Sequence, residues 1–474
     1  MTEIPKTGEK PALLRQLGIA SATALVVSNM AGQGIFTSTG FLAGDLGRPR
    51  LVLGIWVVGA VYALLGALCY SELGVNLPRS GGEYVYLTRA FGPTWGFMTG
   101  WASFFAGFAG PIAVSALAFA DYLGYFFPAL RQENSMVLFG SGEWTFRFGG
   151  AQAIACTLVA AFTALNCAGV ERTARVQNVL TSAKVAVLLA FVTLGLAMGR
   201  GNWQHFAMNT ERTSTAAIPA QFAVSLFWVA VAYSGWNAAT YVAEELREPS
   251  VTLPAALGIG TTLVAALYIG LNVVYLYAAP LGELKGKVAV GAYAASRLFG
   301  PRVAGLFSAL MAMALMSTVN AMVTIGPRVY YAMAKNGAFL EGAARVHPKW
   351  HTPVRAILAQ GVCTVLLTIT PFPQLVIYIG FALNFFSVMS VAALMKMRRE
   401  EGWTKLRTVS FAYPLLPLGF VLTGLWMTIY CLQLKPLVSL ATIAMIAAGA
   451  AVYHTRVKAN LLPETAADAT SESP

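Results

Sequence analysis

The sequence predicts an all-α membrane protein of about twelve transmembrane helices. Three observations lead there. Only 11% of the 474 residues are charged while 57% are hydrophobic, where a soluble domain carries about 25% charged residues. Mean hydropathy is +0.64. Apolar runs recur along the whole chain, each near the roughly 20 helical residues that cross a hydrocarbon core. So little charge cannot coat a soluble core of this size, so the outer surface must face lipid.

In order, the runs are 16–46, 50–73, 95–127, 150–169, 179–199, 218–243, 254–279, 302–334, 354–371, 373–395, 411–433 and 436–456. Residues 1–15 read as a polar cytoplasmic tail with no cleaved signal peptide. Spans one to five (16–199) form a first block, 200–217 an outer loop, and spans six to ten (218–395) a second block. The last two spans with their preceding inner loop occupy 396–456. The tail 457–474 is rich in Ala, Thr, Ser and Glu and reads as disordered. Placing the N-terminus inside puts Lys335, Arg345, Lys349 and Arg355 in one inner loop. Lys396, Arg398, Arg399, Lys405 and Arg407 then fall in another. That asymmetry favours both termini in the cytoplasm.

The first and sixth runs are interrupted at mid-length, by Asn29-Met30-Ala31-Gly32-Gln33-Gly34 and by Tyr233-Ser234-Gly235-Trp236-Asn237. Each break opens a block of five runs. Five is odd, so the second block sits inverted relative to the first. Matched breaks in two inverted halves point to a transporter's binding site. A lone glycine break would be read as close helix packing. Unwinding exposes peptide N–H and C=O groups that lipid cannot satisfy. The half-helix after a break presents N–H donors and a positive dipole end, and the half before it presents carbonyls. A zwitterion matches both. No Asp, Glu, Arg or Lys lies in either break, which favours a neutral side chain, because an unpaired ion at that depth is expensive. Lys184, inside the fifth run, is either a lysine snorkelling to the inner interface or a fixed or titrating ammonium beside the breaks.

Other features argue against competing classes. The net charge of +12 is spread between apolar runs, unlike a clustered nucleic-acid face, and fits a positive-inside bias. Cys69, Cys156, Cys167, Cys363 and Cys431 fall within apolar segments without a CxxC pair, as buried thiols do. Gly32-x-Gly34 lacks the preceding strand and third glycine of a dinucleotide site. His205, His347, His351 and His454 lie in loops or at helix ends and make no metal site. No cofactor and no catalytic constellation is expected. Glu244, Glu245, Arg247 and Glu248 read as a solvated helix end or an inner-gate charge cluster. The same two readings apply to Glu72 and Glu83. The aromatic stripe 95–108 reads as helix packing.

Several motifs together resemble the amino acid–polyamine–organocation superfamily, and within it the L-type amino acid transporters and their prokaryotic relatives. They are Gly32-Gln-Gly-Ile-Phe36, Cys69-Tyr-Ser-Glu-Leu-Gly74, Pro78-Arg-Ser-Gly-Gly-Glu-Tyr84, Asn166-Cys167, Arg175-Val-Gln177, Ala183-Lys184, Ala232-Tyr-Ser-Gly-Trp-Asn237, Glu244-Glu-Leu-Arg247, Pro249 and Leu253-Pro254. The resemblance implies a LeuT-type five-plus-five inverted repeat with helices 1 and 6 broken. It implies sodium-independent carriage of neutral amino acids across the plasma membrane by alternating access, as exchanger or facilitator. Carried over, the break at Gly32 with the N–H groups of Gln33 and Gly34 holds the substrate carboxylate. The carbonyls of Met30, Val231 and Ser234 hold its amino group. Asn237 and Ser115 line the side-chain pocket. Lys184, with Thr318, stands where sodium sits in sodium-coupled relatives. Val231 replaces a gating aromatic, which leaves Phe227, Trp228 and Trp236 as gating candidates. The outer loop 128–149 contains no cysteine, so a disulfide-linked heavy chain is not expected. Two alternatives remain: a proton-coupled symporter using Lys184, and a non-transporting amino acid sensor, against which the short tails argue.

Overall fold

The structure, a computed structural model, describes residues 17–32, 34–79, 81–168, 173–335, 339–348, 350 and 352–458, with side chains of 173–183, 332 and 335 excepted. Gln33 and His351 lie outside the described residues.

The chain is almost wholly helical. The first span is a bent pair, α1 (Ile19–Met30) and α2 (Gly34–Leu46), with 45° between them. Next come α3 (Pro49–Asn76), a short α4 (Glu83–Phe91) and the long span α5 (Pro93–Leu123). Inside α5, Ser103–Ala109 is π-helical. Pro111 follows, and because its ring clashes with the ladder and it lacks an N–H, the turn before it widens. A two-stranded hairpin, β1 (Met136–Phe139) with β2 (Phe146–Phe148), precedes α6 (Gly150–Cys167) and α7 (Thr173–Met198). The second block runs α8 (Ile218–Tyr233), a 3-10 segment Ala238–Glu245, α9 (Pro249–Ala278), α10 (Val290–Phe299), α11 (Pro301–Lys335), α12 (Val354–Leu367) and α13 (Phe372–Met397). The chain then forms α14 (Leu415–Leu434) and α15 (Pro436–Val452).

Among the described residues, nine helices are long and apolar enough to cross a membrane, and the bent pair makes ten. The expected fifth and ninth spans correspond to shorter apolar stretches, Lys184–Met198 and Val354–Leu367. The count on length and composition among the described residues is therefore ten, and the helix that holds the first of these stretches itself runs from Thr173 to Met198. At 1.5 Å per residue, α12 measures about 21 Å, less than a hydrocarbon core of about 30 Å.

Two features escaped the sequence reading. The hairpin is one. The other is a repeated joint: Arg89-Ala-Phe-Gly-Pro93 ends α4 and starts α5, and Arg297-Leu-Phe-Gly-Pro301 ends α10 and starts α11. Gly92 and Gly300 both sit at positive φ, 94° and 85°, a conformation glycine adopts without steric penalty. Each joint falls between the second and third spans of its block. The glycine before α4 packs on the 3-10 half of the second broken span, through Tyr241. Meanwhile α10 packs on α2, half of the first broken span. The short helices thus serve opposite broken spans, as an inverted repeat requires.

The core lies between the broken spans and α3, α9 and α13, where Phe36, Trp56, Tyr70, Phe227, Tyr268 and Phe381 are fully buried. On the periphery, α14 and α15 expose Leu415, Leu422 and Leu440, as lipid-facing helices do.

Candidate functional site

Both breaks are real, and they touch. A Cβ added at Gly34, the first residue of α2, would lie 2.6 Å from Ala232 Cβ and 3.0 Å from Ala232 N. A Cβ at Gly235 would lie 2.9 Å from the Asn29 carbonyl carbon, and Gly235 has φ of 97°. Glycine is required at both positions, since the backbones meet without room for a side chain.

Met30 O at the end of α1 accepts from Gly32 N at 2.6 Å and from the Tyr268 hydroxyl at 2.6 Å. The same hydroxyl reaches Ala232 O at 3.3 Å. Tyr268, on α9, therefore ties the two breaks together. Val231 O accepts from both Ser234 N at 3.1 Å and Ser234 Oγ at 2.7 Å. The first N–H groups of α2 have no partner within their own helix by its geometry, and α2 begins at this junction, where Gly34 lies against Ala232. Trp56 and Tyr233 pack edge-on to one another at 5.8 Å, and Trp56 to Tyr268 at 5.7 Å. The Trp56 Nε1–H is buried without an acceptor among the described residues.

The other expected residues scatter around this centre. Val231 turns its side chain against Gly380 of α13. Ser115 is fully buried on α5 and donates to Pro111 O at 2.7 Å. Thr318 on α11 donates to Ala314 O. Lys184 is 6% exposed on α7 and makes no ion pair among the described residues. Phe227 packs on Phe381, and Trp236 packs edge-on to Tyr70 and Phe420.

On the side where α1 begins, here the near side, the path is shut. Leu17 N donates to Glu245 O at 3.0 Å and Arg247 N to Leu17 O at 2.9 Å, so the two broken spans are stitched by backbone. Asn237 Nδ2 donates to Glu83 Oε1 at 2.8 Å, and the Tyr241 hydroxyl donates to Glu83 Oε2 at 2.6 Å. Tyr70 adds a third donor at 3.1 Å. Desolvation nevertheless holds the Glu83 carboxyl above its ordinary range, against the pull of these donors. Glu72 is completely buried and accepts from Arg398 Nε at 2.7 Å, Trp403 Nε1 at 3.0 Å and Leu406 N at 2.9 Å. Both carboxylates therefore build networks rather than a solvated face. The stripe 95–108 packs against neighbouring helices, with Phe97 on Tyr453 and Phe104 on Tyr330.

On the far side a cavity of about 480 Å³ opens between α2, α8, α13 and the hairpin loop. Its floor is a stack of Phe41 on Trp228 at 4.5 Å, with Phe372 at 5.8 Å from Phe41. Of the three gating candidates, Trp228 is the one in a passage; no sequence signal marked Phe41 or Phe372 as its partners.

An inverted pair of broken helices touching inside a multi-pass helical bundle, shut on the near side and open to a vestibule on the far side, is the architecture of a secondary transporter. The amino acid permease family model matches residues 17–454, and the chain belongs to that family of transporters. It is 29% identical to the mouse large neutral amino acids transporter small subunit 2 over 464 residues, covering 96% of this chain and 83% of the relative. It is 30% identical to the mouse b(0,+)-type amino acid transporter 1 over 392 residues, 81% of this chain and 76% of the relative. Against the mouse Asc-type amino acid transporter 1 it is 27% identical over 460 residues, 95% and 82%. This is an integral multi-pass membrane protein whose family moves amino acids and catalyses no reaction.

Proposed function

We propose that the chain carries neutral amino acids without sodium, by alternating access across the plasma membrane, as an exchanger or facilitator. The observation that supports it most is the contact of two charge-free breaks at Gly34·Ala232 and Gly235·Asn29. The N–H groups of Gln33 and Gly34, beside Gly32, take the substrate carboxylate. The carbonyls of Met30, Val231 and Ser234 take its ammonium. A carbonyl oxygen has two lone pairs, and Met30 O and Val231 O each already accept two bonds, so a substrate ammonium takes the place of one of these donors. Asn237 and Ser115 bound the side-chain pocket, and Lys184 with Thr318 occupies the place of a coupling ion. Trp228 closes the far passage. The halves 16–199 and 218–395 supply the moving parts, with both termini cytoplasmic. The relatives' printed name includes a small subunit; the cysteine-free loop 128–149 supports function here without a disulfide-linked partner. A thermal-shift screen of the purified protein against the twenty amino acids, followed by counterflow into proteoliposomes, tests this reading. No shift and no counterflow would overturn it.

A Tyr268→Phe variant is expected to lose the bridge between Met30 and Ala232. Leaving a buried acceptor short of its donor costs about 1–3 kcal/mol, seen as a lower unfolding midpoint and at least several-fold weaker amino acid binding. Unchanged binding would remove Tyr268 from the site.

Glu83 makes near-side closure pH-dependent. Its carboxyl binds a proton more tightly in the closed network than in water, so acidification favours closure and rising pH opposes it. Labelling of a reporter cysteine at Ser234→Cys from the near side, taken relative to the same cysteine in unfolded protein at each pH to remove the thiolate's own dependence, should slow on acidification. Adding Glu83→Gln should flatten that relative dependence.

The burial of Lys184 without an ion pair among the described residues favours a second reading, proton-coupled uptake. If Lys184 exchanges the proton, Lys184→Met in a Glu83→Gln background abolishes the pH dependence of uptake while amino acid binding persists. Retained pH dependence leaves Lys184 as a strut and the protein as exchanger or facilitator.

A further inference from the structure

The hairpin β1–β2 carries apolar side chains that the described residues leave uncovered. All four residues of β1 are exposed, from 46% at Leu138 to 69% at Met136, and Phe148 of β2 is exposed with them. A strand laid on a protein surface alternates buried with exposed positions; β1 does not. The hairpin's charges are turned elsewhere. Glu133, Glu143 and Arg147 line the vestibule, and Glu143 pairs with Lys435 at the joint of α14 and α15. A contiguous exposed apolar patch marks a surface that meets something other than water.

The level of the hairpin decides what covers it. The span α6 has 18 residues and starts at Gly150, so it measures about 27 Å against a hydrocarbon core of about 30 Å. A span this short keeps its first turn at the edge of the hydrocarbon. Phe148 precedes Gly150 by two residues, and at about 3.3 Å per extended residue it lies within about 7 Å of that turn. The headgroup layer is about 5–7 Å deep on each side. Met136 pairs with Phe148 across the ladder. Ser135 Oγ donates to Gln152 Oε1, in the first turn of α6, at 2.8 Å, so β1 starts at the same level. Ile369, Thr370 and Pro371, which follow the short α12, border the vestibule beside Thr145 and Arg147. The hairpin thus stands over the far ends of two short spans. We propose that it is an interfacial anchor: Met136, Val137, Leu138, Phe139 and Phe148 enter the boundary between headgroups and acyl chains of the far leaflet and hold Glu143 and Arg147 at the vestibule's rim. Segment 128–149 sets Arg131 and Arg147 against Glu133 and Glu143, so the attraction is to the apolar layer and not to anionic headgroups. The inference is independent of the solute carried.

Collisional quenching tests the depth of the hairpin. The full chain, one copy per phosphatidylcholine nanodisc, is labelled with nitrobenzoxadiazole at Leu138→Cys, and wild-type protein labelled in parallel gives the background from the native cysteines. Lipid brominated on its acyl chains should remove at least half of the Leu138→Cys signal, and aqueous iodide should remove little. Replacing part of the phosphatidylcholine by phosphatidylglycerol should leave both results unchanged. Adding Met136→Glu and Phe148→Glu should reverse the order, with iodide the stronger quencher. Size-exclusion profiles confirm that this variant is folded, and the single label carries the test if it is not. Strong iodide quenching without lipid quenching overturns the proposal, since it places the strand in water and leaves it to a protein partner or a second copy. Lipid quenching that requires the anionic lipid, or that survives unchanged in the folded glutamate variant, overturns its apolar basis.

Discussion

Gly34→Ala should reduce amino acid counterflow by at least 100-fold while the protein still inserts and purifies. The added methyl would press on Ala232, and neither neighbour can yield, because both are helix backbone within a buried layer. Overpacking of this kind costs about 1–3 kcal/mol. Here that strain falls on the junction that presents the peptide groups. A shift of 1 Å in binding groups costs about 100-fold in rate in positioned sites. The measurement is counterflow beside an unfolding midpoint. A midpoint lowered by a few degrees with transport intact would show that the junction is structural and that solute binds elsewhere. Gly235→Ala should behave alike, with the added strain of a positive φ.

Arg398→Met should destabilise the protein by about 3–5 kcal/mol, the usual result of removing one partner of a buried pair. Glu72 is completely buried and Arg398 is 6% exposed. The bidentate fork also donates at 3.3 Å through its second nitrogen. Without Arg398, the Glu72 carboxylate keeps Trp403 and Leu406 N as donors but loses its only countercharge among the described residues. Unfolding in detergent, followed against temperature, should move down by many degrees. Glu72→Gln with Arg398→Met should recover much of that loss, since no lone charge remains. Equal midpoints for Arg398→Met and wild type would show that water reaches the carboxylate.

Much of this was legible beforehand, for physical reasons that can be named. Among the described residues, ten of the twelve expected runs coincide with a membrane-length helix or the bent pair, because lipid imposes a length and a composition on each helix. The breaks at 29–34 and 233–237 were visible because glycine and polar residues interrupt otherwise apolar runs. Tyr268 was invisible: within Leu267-Tyr-Ile-Gly-Leu271 it reads as one more apolar position, and only the fold aims its hydroxyl at two carbonyls. The joints at Gly92 and Gly300 did carry a signal, the repeated Arg-x-Phe-Gly-Pro, which a search for internal repeats would have found. Glu72 and Glu83 were left between a solvated face and a gate, because their partners Arg398 and Tyr241 lie far away in sequence. The vestibule had no local signature at all, since its wall is assembled from four distant segments.

The brevity of α12 has a consequence for the surrounding lipid. Its ends are held by protein: Thr352 Oγ1 donates to Cys167 O at 2.8 Å, and Thr368 meets Cys156 at 3.4 Å. Anchored to α6 at both ends, it cannot lengthen or tilt to follow a thicker bilayer, so hydrophobic mismatch must be absorbed by the acyl chains beside it. That flank is where membrane thickness would act on this permease.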